Sequence, residues 1–91
     1  MLTNQYTKDP SAILDWAYDW TGWLATGETI TDHTITADTG ITVDSSTELD
    51  GKVTVWLSGG TAGINYKVAC KITTSAGRTD ERTIWIKVTD R

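Results

Sequence analysis

From Ile64 to Val88 apolar residues occupy alternate positions with polar residues between them. Ile64, Tyr66, Val68, Cys70 and Ile72 share one side of an extended chain, and Asn65, Lys67, Ala69, Lys71 and Thr73 share the other. That period of two marks a half-buried strand. Ile84, Ile86 and Val88 repeat it. Between the two runs, the sequence SAGR at 75–78 provides a turn in which Gly77 takes positive φ without a Cβ clash, so the runs are expected to form an antiparallel hairpin.

The same pattern appears earlier in the chain. In AILDWAYDW at 12–20, Leu14, Trp16, Tyr18 and Trp20 fall on one face and Asp15, Ala17 and Asp19 on the other, which predicts a strand with an aromatic inner face. The following TGWLA turns the chain and places Trp23 and Leu24 over the end of the core. Glu28 to Thr36 is rich in Thr and Ile and reads as strand. Ile30 and Ile35 are out of phase with strict alternation, so a bulge is expected near Asp32 and His33. A short strand follows around Ile41 to Val43, and DSSTELDG at 44–51 reads as a turn-rich connection. Val53, Val55 and Leu57 then alternate with Thr54, Trp56 and Ser58 until Gly59 and Gly60 end the strand.

These elements predict an all-β fold, a small immunoglobulin-like antiparallel β-sandwich of six or seven strands without a helix longer than a turn. Its core is expected to hold Leu14, Trp16, Trp20, Val68, Cys70, Ile72, Ile84 and Ile86. Tyr66, at the start of the long strand, is placed to hydrogen-bond back to the connection before it as a tyrosine corner, although it precedes Cys70 by four positions rather than the usual two. Residues 1–10 carry few apolar side chains and end in Asp9–Pro10. They read as an extended N-terminal arm, frayed or docked on a neighbour, leading into a sandwich domain at 11–91.

Length and charge narrow the function classes. The chain has 91 residues, room for one core. Its formal net charge of −4 and scattered lysines and arginines argue against a nucleic-acid backbone as partner; Lys67, Lys71, Arg78, Arg82 and Lys87 read as solvated strand faces and a turn. No apolar run approaches the roughly 18 residues that span a bilayer, and the N-terminus lacks the pattern of a secretory signal, so neither a membrane partner nor export is expected. The single cysteine, Cys70, excludes an intrachain disulfide and reads as a buried small hydrophobe.

Candidate chemistry is sparse. His33, the one histidine, has no nucleophile near it in the sequence pattern, so no catalytic residue is assigned and no enzyme activity is expected. Asp44, Glu48 and Asp50 lack the spacing of a helical calcium loop, and Gly59, Gly60 and Gly63 are followed by neither the lysine nor the helix of a phosphate loop. No metal or cofactor is therefore expected. Five tryptophans in so short a chain are the exception to this plainness. Trp16, Trp20 and Trp23 are assigned to the core, whereas Trp56 and Trp85 lie between inward aliphatic neighbours and so point outward. Outward tryptophans are enriched at protein interfaces, and also serve as sugar-binding platforms. Together with Tyr6, Lys8, Asp9 and Pro10 of the arm, Trp56 and Trp85 make the candidate interface.

Four segments, KDPSAILD at 8–15, DWTGWL at 19–24, VWLSGGTAG at 55–63 and ITTSAGRTDER at 72–82, carry a family resemblance. They resemble a group of short tailed-bacteriophage proteins described as virion-associated Ig-like proteins or fibre-to-tail adaptors. The resemblance runs from Lys8 to Val88 and is most specific in the pairing of WLSGGTAG with TTSAGRTDER. It implies a structural building block of the virion, made in the host bacterial cytoplasm, present in multiple copies in a symmetric assembly and bound to other virion proteins of neck, tail, fibre or capsid. An adaptor at the neck or tail is the first expectation, capsid decoration the second, and a carbohydrate-binding module for host recognition the alternative of another class.

Overall fold

Alternation translates directly into pairing in the C-terminal half of the chain. In the computed structural model, which describes residues 5–90, β6 (Asn65–Thr74) and β7 (Thr79–Val88) form the antiparallel hairpin, with Gly77 at φ 81° in its turn. Five further strands precede them: β1 (Gln5–Lys8), β2 (Leu14–Asp19), β3 (Ile30–Ala37), β4 (Ile41–Leu49) and β5 (Lys52–Gly59). They make two sheets, one ordered β1-β7-β6-β3 and the other β2-β5-β4. Every pairing is antiparallel except that of β1 with β7. In the immunoglobulin arrangement β2, β5 and β4 stand where strands B, E and D do, and β3, β6 and β7 where C, F and G do. The described residues contain no helix.

The core lies between the sheets. Val53, Val55 and Leu57 from β5 meet Val68, Cys70 and Ile72 from β6 and Ile84, Ile86 and Val88 from β7, all buried. Trp20 closes one end and is wholly buried. The hydroxyl of Tyr18 crosses from β2 to donate to the Val68 carbonyl at 2.8 Å. This bond joins the strands that a B–F disulfide links in antibody domains. Burial pushes the Tyr18 phenol up and the Cys70 thiol up to about 11, so both remain protonated at neutral pH.

Two expected core residues lie at its margin. Leu14 is 38% exposed and Trp16 is half-buried, because β2 is an edge strand, and Trp16 is met from the other sheet by the ring of Tyr6. Ile64, expected to face inward, is also exposed: its N–H bonds the Thr61 carbonyl, which holds it in the turn before β6.

The β3 bulge falls between Ile30 and Asp32, one residue before the expected position, and it returns His33, Ile35 and Ala37 to the inner side. A second bulge, between Val43 and Ser45, was not expected. Beyond it β4 continues to Leu49, so 44–49 is strand rather than turn-rich connection. Pairing with β5 supplies the backbone hydrogen bonds that its polar side chains do not advertise. The actual turn is Asp50–Gly51, with φ 51° and 86°, the two-residue geometry that an Asp-Gly pair favours.

The arm also differs from expectation. Residues 1–4 of it lie outside the described residues, but Gln5–Lys8 is a strand of this domain's own sheet rather than a segment free to dock elsewhere. Lys8 anchors it: the side chain is fully buried and Nζ donates to the carbonyls of Asp9 and Gly59, at 2.9 and 2.7 Å. Burial lowers its pKa, while Asp9 and Asp44 act the other way.

Candidate functional site

The two segments that carry most of the family resemblance do structural work at opposite ends of β6. At its start, the Tyr66 hydroxyl accepts a hydrogen bond from Thr61 N–H at 2.9 Å, the expected corner. Its ring packs against glycines: an added Cβ on Gly40 would fall 2.9 Å from Tyr66 Cε1, and one on Gly60 would fall 2.6 Å from Val88 Cγ2. Within WLSGGTAG, Gly60 is thus fixed by close packing, whereas a Cβ on Gly59 or Gly63 would meet nothing closer than 3.8 Å.

At the far end of β6, arginines expected to be solvated are stacked on tryptophans. Arg78 lies 4.0 Å above the Trp23 ring and Arg82 4.2 Å above Trp20, while the two indoles meet edge to face at 5.4 Å. Such stacking is attractive because the guanidinium lies over the electron-rich face of the ring, and it strengthens as water is excluded. Arg78 also donates to both carboxylate oxygens of Glu28, and Thr74 Oγ1 donates to Oε2. These bonds hold the Glu28 carboxyl down at about 2. Arg82 caps the end of β2 by donating to the Asp19 carbonyl at 2.7 Å. Sequence reasoning missed this cluster because Thr74, Arg78 and Arg82 lie 46 or more positions from the Glu28 and tryptophans they contact. The one available signal was the joint presence of DWTGWL and GRTDER.

The remaining polar candidates are engaged locally. His33 Nε2 sits 3.1 Å from Ser46 Oγ, joining β3 to β4. Asp44 accepts from Ser58 Oγ, and Glu48 accepts from Gly51 N–H, so they hold bulge and turn. Among the described residues no three His, Cys, Asp or Glu side chains gather where a metal ion would be held.

The aromatic candidates remain. Trp56 sits at the middle of β5, paired with Asp15 of β2 and Ser45 of β4, and points away from the core at 43% exposure. Around it the outer face carries Ala17, Thr47, Thr54 and Ser58, short side chains above which an indole stands proud, with the exposed Asp15 directly opposite on β2. Trp85 also points outward, but from the other sheet, between Gln5 and Lys67, and it is only half-exposed. The two tryptophans therefore occupy opposite faces of the sandwich and cannot serve one flat contact. Tyr6 is exposed and lies beside Trp16, ring centroids 6.1 Å apart. Asp9 and Pro10 are half-buried, and Lys8 is enclosed.

A fold with this geometry offers surfaces for assembly, and comparison with known families agrees. The family model Gp77, the podophage GP4 fiber-tail adaptor protein gp77, matches residues 8–87. The chain belongs to this fibre-tail adaptor family. Both structural clusters and Trp56 lie within the matched span, so the adaptor's stacked arginines and tyrosine corner are set in family sequence. No curated protein matches the chain.

Proposed function

We propose that the protein is a non-enzymatic structural component of a phage virion that joins fibre to tail, and that it grips its partner through the outer face of the β2-β5-β4 sheet with Trp56 as anchor. The family match over residues 8–87 carries this reading. The exposed indole on a face of small side chains supports the choice of surface, since anchors of this kind dominate interface energetics. Trp85, half-covered on the opposite face, is assigned a second and smaller contact. Synthesis in the host cytoplasm and incorporation in multiple copies belong to the same reading, as does the absence of nucleic-acid or membrane contacts.

Mass spectrometry of purified particles, with copy number, tests it. A small fixed number of copies, retained in tails separated from heads, is the expected result. Hundreds of copies on the head would replace the adaptor by a capsid decoration protein, and absence from particles would overturn the virion role altogether.

A further inference from the structure

Among the described residues the sheets have four edge strands, and three of them carry features that discourage pairing with another chain. The β3 and β4 edges are each interrupted by a bulge, and β1 is four residues long with Pro10 two positions beyond its end. Bulges, short strands and proline are the usual protections of an edge. β2 has none of these three, only the charges of Asp15 and Asp19: its six residues run in unbroken register along β5 from Leu14 to Asp19. No described residue pairs with its other side, because β1 takes the parallel place beside β7 instead of lying next to β2.

Beside the two aspartates, exposed apolar side chains gather around this edge. Of the large hydrophobic residues left exposed, Ile13, Leu14, Trp56 and Tyr6 all lie at or beside the first half of β2, Tyr6 through its contact with Trp16 and Trp56 through its pairing with Asp15. Next to the second half is a hollow of about 230 Å³ between the sheets, lined by Tyr6, Ala17, Tyr18, Asp19, Arg82 and Ile84. It is large enough to receive a side chain entering from the open edge, whose stem would lie against Tyr6, Tyr18 and Ile84 with Asp19 and Arg82 at the wall.

From this arrangement we infer that the β2 edge accepts an extended segment of the partner as a fourth strand, with apolar side chains turned into the seam and basic ones over the outer face. The inference rests on the adaptor reading for its partner, and charge selects what kind of segment fits. Asp15 and Asp19 lie on the outer face of β2, Asp19 opposite the exposed Lys52 of β5 and Asp15 opposite the uncharged Trp56, and Asp44, bonded by Ser58, is exposed on the same sheet. Two copies pairing through β2 in antiparallel fashion would line up Asp15 and Asp19 of both on one face, and like charges on adjacent strands are destabilising. A strand alternating apolar residues with lysine or arginine meets no such opposition. Main-chain bonds along the edge supply affinity, and the hollow and the carboxylates supply register.

Hydrogen exchange resolved by residue on the full chain, with a ten-residue peptide alternating Val and Lys as probe, tests the inference. The expected result is at least tenfold slower exchange at those β2 amides that face away from β5, no protection from a peptide alternating Val and Glu, and loss of the effect in a variant carrying both Ile13→Lys and Leu14→Lys. Ile13 is well exposed but Leu14 borders the core, so the variant is first compared with the parent by melting; if it is destabilised, Asp15→Lys with the same probe is the second variant, and it should weaken protection. Protection at β1, β3 or β4 instead, or none at millimolar peptide, overturns the inference. Absence of the unaltered protein from particles would remove the adaptor reading but leave this exchange result standing.

Discussion

Arg78 grips both oxygens of Glu28 across a separation of 50 positions while its guanidinium covers Trp23. The side chain of Glu28 is 2% exposed, so its charge depends on this partner. Its carboxyl titrates at about 2 in the fold, against an ordinary 4.5. A carboxyl lowered by folding stabilises the native state above its unfolded pKa, and that contribution is lost as pH falls toward the folded value. Melting temperature should therefore drop between about pH 5 and pH 2, and Glu28→Gln should flatten that drop while lowering stability at pH 7. A thermal melt series in pH checks both; an unchanged acid limb in the variant would assign acid sensitivity elsewhere.

The bond from Tyr18 to the Val68 carbonyl ties the two sheets together without a disulfide. Tyr18→Phe keeps the ring and removes only the hydroxyl. A buried hydrogen bond contributes about 1 kcal/mol net, which corresponds to roughly 4–8 °C in melting temperature for a domain of this size. Calorimetry should find a loss in that range, with the β-sheet signature intact.

The sandwich was legible wherever one face of a strand is buried. β2, β5, β6 and β7 alternate because their inner residues meet the opposite sheet, and periodicity detects that burial. Along β4 beyond the bulge both faces are polar, Ser46 and Glu48 inward and Ser45 and Thr47 outward, so no periodic signal exists and the strand is fixed by pairing with β5. Lys8 misled in another way. A lysine before Asp-Pro reads as solvated arm, and only the fold reveals two carbonyls converging on its ammonium. Of the candidate interface, outward tryptophans followed from alternation, but their placement on opposite faces depends on which sheet each strand joins.

Gly60 and Gly77 both have positive φ, 95° and 81°, but they differ in surroundings. Nothing lies within 4 Å of a Cβ on Gly77, whereas one on Gly60 meets Val88 Cγ2 at 2.6 Å. Gly77→Ala should therefore cost about 1 kcal/mol from backbone strain alone. Gly60→Ala adds overpacking of about 1–3 kcal/mol. Denaturant unfolding of the two variants should show this order, and equal losses would mean that the Gly60 site relaxes freely.

Lys8 holds β1 in place, so its removal should act on the strand as well as on one side chain. Lys8→Met keeps the stem and leaves the Asp9 and Gly59 carbonyls without their donor, a loss of about 1–3 kcal/mol. Faster amide exchange confined to 5–8 and to its β7 partners Trp85 to Val88 is the expected signature. For the same reason deletion of residues 1–9 should lower stability, since it takes away β1.

Trp56 and Trp85 give the sharpest separation between fold and assembly. Trp56 is exposed at 43% on the outer face of β5, so Trp56→Ser should change the melting temperature of the isolated protein by little while reducing its incorporation into particles severalfold. A buried aromatic anchor contributes on the order of 2 kcal/mol or more to an interface, about thirtyfold in affinity. Trp85 is half-covered between β1 and β6, so Trp85→Ser should lower stability measurably and affect incorporation less. The two variants, compared by melting and by copy number in purified particles, distinguish which face of the sandwich is gripped. Normal loading of the Trp56 variant together with loss of the Trp85 variant at unchanged stability would move the principal contact to the β1-β7-β6-β3 sheet.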